Sequence, residues 1–212
     1  MNTTAVLGCR CGKVRGHVAD AAPDQVNRMV CYCDDCQAYL HYLKRSDLLD
    51  EHGGTDIVQV APAALRFDRG AELIVGMRLS PKGLFRWYAS CCNTPVGNSL
   101  TPKIPFVGIV ANSFEDPDRH FGKPTGAVQG KFAIGALPAS ANKTPVGLLI
   151  GAVLKVLGWR LRGKAWPHPF FAPGSNEPSH PVRVIDKAER DALRAWCGPN
   201  PTAAAEPHGM PG

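Results

Sequence analysis

The sequence predicts a mainly β protein with a helical C-terminal extension. Three observations lead there. Short apolar stretches alternate with turns from residue 5 to about 135. The 22 glycines and 19 prolines favour short strands over a helical bundle. Only one stretch in that region has helical spacing. With 44% hydrophobic and 20% charged residues the composition is globular, which excludes a disordered chain. A length of 212 residues allows one large domain or one domain with an appendage.

Taken in order, "GKVRGHV" alternates as a strand should and ends at the turn-prone "DAAPDQ". "NRMVCYC" is the next strand. "TDIVQVAP", "ALRFDRG" and "AELIVGMRLS" follow, with "DRGAE" joining the last two as a hairpin, and "GLFRWYAS" and "IPFVGIVAN" complete the set. The helix is expected over "CQAYLHYLKRSDLLDEHGG", stopped by Gly53-Gly54. No internal repeat of fixed period is visible.

A second region begins near Pro138. "TPVGLLIGAVLKVLGWRLRGK" is apolar from Val146 to Leu157 except at Lys155, and ends in Arg160, Arg162 and Lys164. A bilayer crossing needs about 20 apolar residues, so this helix is too short to span one. It reads as a core or docking helix, through which two copies can also pair. Alternatively it is an interfacial helix, with Trp159 at headgroup depth and basic residues on lipid phosphates. The prolines of "WPHPFFAPGSNEPSHPVRV" forbid regular structure. "DKAERDALRAW" is a short helix with Asp186 as N-cap and Glu189 three residues on. The expected organisation is a β domain over 5–137, a helical and proline-rich extension over 138–197 and a disordered tail over 198–212.

Seven of the eight cysteines fall in three groups: Cys9-x-Cys11, Cys31-x-Cys33-x-x-Cys36 and Cys91-Cys92, with Cys197 alone. The start of the chain lacks a basic segment followed by an apolar run, so a cytoplasmic, reducing location is expected. There, clustered cysteines bind metal or do chemistry more often than they form disulfides. Zinc takes about four thiolate or imidazole ligands in a tetrahedron. A C-x-C pair in a strand points both sulfurs to one face, and a C-x-x-C turn folds both inward. Cys31, Cys33 and Cys36 therefore offer three thiolates from one short stretch. Three is informative, because a structural zinc site is usually closed by four protein ligands while a catalytic one keeps a position for water or substrate. A distant residue that completes a purely structural site is the alternative. Redox use of Cys33-x-x-Cys36 lacks the βαβ setting such motifs need. Cys9 and Cys11 need partners, and Cys91-Cys92 is the remaining pair; ordinary buried thiols are the alternative there. His41, His168 and His180 stand as reserve ligands, His41 first because it follows the knuckle by five residues.

"GCRCGKVR", "CYCDDCQAY" and "RWYASCCNTPVGN", in that order and rough spacing, resemble the glutathione-dependent formaldehyde-activating enzyme family, which also contains centromere protein V. The resemblance covers about residues 5 to 115. It implies a β-tent of coiled antiparallel sheets with one or two zinc ions per chain. It puts Cys31, Cys33 and Cys36 at the catalytic zinc knuckle, and Cys9 and Cys11 with the late cysteines at a structural site. The implied reaction joins glutathione to formaldehyde as S-hydroxymethylglutathione, classed in reverse as carbon–sulfur lysis, with a low-molecular-weight thiol and an aldehyde as substrates.

Two departures qualify it. Aligning Cys92-Asn93-Thr94-Pro95 with the family's late C-G-T-P puts Ala89 where the family has a cysteine, with Cys91 beside Cys92 instead. Three outcomes stay open: Cys91 substitutes through a tight turn, the site is incomplete, or Cys91 turns to the Cys31–Cys36 knuckle and closes it. The extension after about residue 138 is absent from the small formaldehyde-activating enzymes and resembles a less characterised bacterial branch of the superfamily. The expected function is thus a zinc-dependent carbon–sulfur lyase or thiol–aldehyde adduct-forming enzyme. The competing reading is a non-catalytic, zinc-stabilised binding module whose C-terminal helix docks on a membrane or protein partner.

The net charge of +6 is moderate and, taken over the whole chain, diffuse. It suits an anionic small molecule or a membrane surface. Near the knuckles Lys44, Arg45, Arg78, Lys82 and Arg86 are available to an anionic thiol, or are plain surface charges. Nucleic acid is not expected, because Asp34 and Asp35 in the knuckle repel phosphate.

Overall fold

In the computed structural model residues 4–138, 141 and 144–199 are described. The strands divide between two sheets. β1 (Ala5–Gly8), β2 (Arg15–Val18) and β5 (Leu65–Arg69) make a small antiparallel sheet in the order β1-β2-β5. β3 (Asn27–Cys31), β4 (Thr55–Val60), β6 (Ile74–Arg78), β7 (Phe85–Ala89), β8 (Thr94–Ser99), β9 (Val107–Val110), β10 (Ala127–Val128) and β11 (Val182–Val184) form the large sheet. Its order is β10-β3-β4-β9-β8-β7-β6-β11. All neighbours in it are antiparallel except the two edges, where β10 joins β3 and β11 joins β6 in parallel. The protein is mainly β, as the alternation of short strands predicts.

The main core lies between the sheets. Leu7, Val14, Val18 and Leu65 from the small sheet side meet Val58, Val60, Ile74, Trp87, Val96 and Ile109 of the large one. Phe170 and Phe171, from the proline-rich loop, complete it: Trp87 stacks on Phe170 at 4.8 Å, and Phe171 meets it edge-on. Alternation along β7 sorts its side chains by face. Phe85, Trp87 and Ala89 enter this core, and Arg86 and Tyr88 face the other way, toward α1 (Asp34–Tyr42).

Three expectations for the N-terminal part are corrected. The helix after the knuckle is α1 alone; Lys44 adopts φ 54° and a single 3-10 turn at Ser46–Leu48 replaces the rest. "DRGAE" does not close a hairpin, since β5 pairs with β2 and β6 with β7 in different sheets. Gly70 turns the chain between them at φ 73°, where a Cβ would run into the Lys13 carbonyl. β8 is a further strand that alternation does not mark, carrying Pro95 and Gly97 beside a register shift against β7.

In the extension, α3 (Val146–Leu161) and α4 (Lys187–Arg194) lie where the spacing puts them, but the expectation of no regular structure through "WPHPFFAPGSNEPSHPVRV" is corrected at its end, where β11 follows the last proline, Pro181, and pairs with β6. The Asp186 carboxylate caps α4 by accepting from Glu189 N–H at 2.8 Å. A short helix α2 (Pro117–Phe121) precedes β10. No helix of the described residues is long and apolar enough to cross a membrane. The tail expected to be disordered lies, from residue 200, outside the described residues.

Candidate metal centres

Cys9 and Cys11 sit on the bend after β1, and Cys91 and Cys92 on the β7–β8 turn. Asn93 at φ 54° lets that turn close tightly enough for adjacent cysteines to face one point. The four sulfurs all lie within 4.8 Å of one another. Cys9–Cys11 is 3.5 Å, Cys9–Cys91 3.9 Å, Cys11–Cys91 3.3 Å and Cys91–Cys92 3.8 Å. A zinc–sulfur bond of about 2.3 Å puts tetrahedral sulfurs roughly 3.8 Å apart, so the spacing fits one such ion. Cys9 Sγ also accepts from Val14 N–H at 3.2 Å, and Thr94 Oγ1 lies 3.2 Å from Cys92 Sγ while accepting from Arg10 N–H. Burial opposes ionisation of Cys92, but the bonds from Thr94 and Cys11 outweigh it and bring the thiol down to about 6. Cys91 is thus gathered with Cys9, Cys11 and Cys92 and stands apart from the Cys31–Cys36 knuckle.

The second group is built where β3 runs into α1. Cys31 ends the strand. Cys33 takes the N-cap with extended φ and ψ, and its thiol accepts from Cys36 N–H at 3.4 Å, the task usually given to Ser or Asp. Cys36 lies in the first turn, so all three sulfurs gather at the positive end of the helix. They too lie within 4.8 Å of one another, and no fourth Cys, His, Asp or Glu ligand atom joins them among the described residues. Hydrogen bonds from Cys31 and Cys33 hold Cys36 well below the usual thiol range against its burial, with Arg86 assisting; the same bonds raise Cys31.

Arg86, which the sequence places only among five charges near the knuckles, is buried against the thiols. It is 1% exposed, and its guanidinium lies 3.8 Å from Cys36 Sγ, 3.5 Å from Asn98 Oδ1 and 4.0 Å from Asp35. A buried cation without a partner is costly, and thiolates are the anions it faces. Three thiolates around a divalent ion carry a formal charge of −1, which one arginine balances. Alternation along "FRWYA" is the signal that could have found it, since it turns Arg86 away from the Trp87 face.

Residues 1–181 match a family described as a family of unknown function, DUF6151. The chain belongs to that family. No curated protein matches it. The DUF6151 match takes in both cysteine groups, α3 and the aromatic loop, and stops one residue short of β11.

Beyond the DUF6151 match, residues 182–199 form a strap over the knuckle. α4 packs on α1, and Arg194 pairs with Asp34 at 3.3 Å and Asp35 at 2.5 Å. Cys197 is buried, its thiol 3.4 Å from the Asp34 carbonyl; burial pushes it up to about 12. Gly198 N–H donates to Gln37 Oε1. Of the basic residues near the knuckle, Arg45 is bound to Asp47, Arg78 to the Gly83 carbonyl and Arg86 is buried. Only Lys44 and Lys82 are left as plain surface charges. His41, His168 and His180 belong to neither cysteine group.

Proposed function

We propose that the Cys31, Cys33 and Cys36 group is a zinc site of the glutathione-dependent formaldehyde-activating type, acting on a low-molecular-weight thiol and an aldehyde. On this reading the two sheets are those of a β-tent. Cys9, Cys11, Cys91 and Cys92 hold a closed structural ion that pins the first strand to the β7–β8 turn. The observation that carries it is a trithiol group that no fourth ligand joins among the described residues, set against a buried arginine.

Zinc bound there supplies Lewis acidity, under which a coordinated thiol loses its proton at neutral pH. The protein's own part is positional. Cys33 and Cys36 are fixed by the α1 cap, and Cys31 by the end of β3. Arg86 holds the charge of the site near neutral, so that an incoming anionic thiol meets less repulsion. Lys44 and Lys82 remain available to the carboxylates of such a thiol.

The test is zinc content per chain for the intact protein and for Cys33→Ser, alongside adduct formation between formaldehyde and glutathione followed by NMR. The expected result is about two zinc ions per intact chain, and in the variant loss of one ion together with turnover. Retention of both metal and turnover in Cys33→Ser would overturn the assignment. A full zinc complement that glutathione does not perturb would favour the zinc-stabilised binding module.

A further inference from the structure

The net charge is less even than its total suggests. Eight of the 24 Lys and Arg, and none of the 18 Asp and Glu, lie between residues 119 and 176. That segment carries +8 and the rest of the chain −2. α3 lies within it, and its outward side is apolar. At 100° per residue, Leu149, Ile150, Val153, Leu154, Leu157 and Leu161 fall in an arc of about 140°. Their exposures run from 47% at Leu157 to 78% at Leu161.

The opposite side of α3 is anchored to the body. Trp159 is 4% exposed there, which corrects the expectation of a tryptophan at headgroup depth. The Lys155 ammonium donates to the Val26 carbonyl at 2.5 Å. The apolar arc is therefore held outward by the fold. At the C-terminal end Arg160 donates to the Lys103 carbonyl, which sets Lys103 and the exposed Ile104 beside the arc. Of the carboxylates near α3, Asp20 lines a groove on the side of Trp159 and Arg162, and Asp24 lines one that reaches the edge of the arc only at Leu154.

We propose that the outer face of α3 docks on an anionic lipid bilayer. Sixteen residues span about 24 Å, short of a hydrocarbon core of about 30 Å, so the helix lies in the plane of the interface. Its aliphatic arc enters the acyl boundary, and Arg160, Lys103 and their basic neighbours meet lipid phosphates. A second copy of the chain would also cover an apolar face. Self-pairing would bring together two segments of the same positive sign, each with Arg160 and Lys103 at the end of the arc, whereas an anionic surface neutralises one; charge therefore decides for lipid. This inference stands on α3 alone and is independent of the zinc reading.

The experiment is flotation of the full-length, zinc-loaded protein with phosphatidylcholine vesicles, with and without about 30% phosphatidylserine. Sedimentation equilibrium is run in parallel. Binding to the anionic vesicles is expected to exceed that to neutral ones tenfold or more, and to fall between about 0.1 and 1 M salt. Val153→Asp on the open arc and Lys103→Glu, where the backbone carbonyl and not the side chain meets α3, should each weaken it at least tenfold with zinc content unchanged. Equal binding to both vesicle types, or indifference to both substitutions, would overturn the proposal. So would a wild-type dimer that Val153→Asp splits and that ignores vesicles.

Discussion

Arg86 governs the chemistry at the end of α1. A guanidinium at 1% exposure needs an anion, and Cys36 Sγ at 3.8 Å is the closest sulfur it has. Removing the cation leaves the thiolates of the knuckle uncompensated in a low dielectric, where a buried charge without its partner is strongly disfavoured. Arg86→Leu is therefore expected to weaken metal binding at Cys31, Cys33 and Cys36 by roughly 10- to 100-fold, the usual scale for a lost supporting contact. Arg86→Lys should retain part of it, because the charge survives while the fork of donors does not. Chelator competition monitored as zinc per chain reads this directly, with the Cys9, Cys11, Cys91 and Cys92 group as the internal control. An unchanged titration in Arg86→Leu would remove Arg86 from the site.

At the scale of elements, the strap is held by the β11 ladder, by Ile185, Leu193 and Cys197 packed on α1, and by the Arg194 ion pairs. Arg194 is about two-fifths exposed in its pairs with Asp34 and Asp35, so water screens both, and together they are worth roughly 1 kcal/mol. Arg194→Ala should then open the strap about fivefold more often. Cys197, buried beneath it, should be alkylated faster by the same factor, as read by mass spectrometry on zinc-loaded protein. An unaltered rate would mean that the strap is fixed by β11, the packing of Ile185 and Leu193, and the Gln37–Gly198 contact without help from Arg194. The elements also show what a sequence exposes. The cysteine groups were legible because C-x-C and C-x-x-C spacing encodes local geometry, and the α4 cap because Asp186 and Glu189 are three residues apart. The joining of Cys91 to Cys9 is not legible there, since it hangs on the φ of Asn93 and on a sheet order no local pattern states. β5 and β6 read as a hairpin because alternation does not say which sheet a strand enters. β8 was hidden by Pro95 and Gly97, residues that discourage a strand reading; yet Gly97 is required where a Cβ would come 3.2 Å from the Phe170 ring.

Over the whole molecule, the region after residue 138 is part of the framework, because its aromatic loop fills the space between the sheets. His168 shows what that costs. It is 7% exposed, meets Phe171 edge-on at 4.8 Å, and its Nδ1 accepts from Phe170 N–H at 3.2 Å. Protonation would turn that acceptor into a donor facing another donor, inside an apolar shell. Burial accordingly lowers its pKa from 6.5 to about 4. The unfolded chain binds this proton first as pH falls, so stability from the neutral ring is complete above pH 6.5. It is lost progressively between 6.5 and about 4. At about pH 5 the loss is roughly 2 kcal/mol, or about 4–8 °C in Tm for a chain of this size. Thiols also protonate and release metal in acid, so wild type must be compared with His168→Asn, whose side-chain oxygen can take the same N–H. Both proteins share the thiol chemistry, and only the wild type carries the ring. The gap between their melting temperatures should shrink by that amount from pH 7 to pH 5; parallel curves would show that His168 is already charged, or already hydrated, in the folded core.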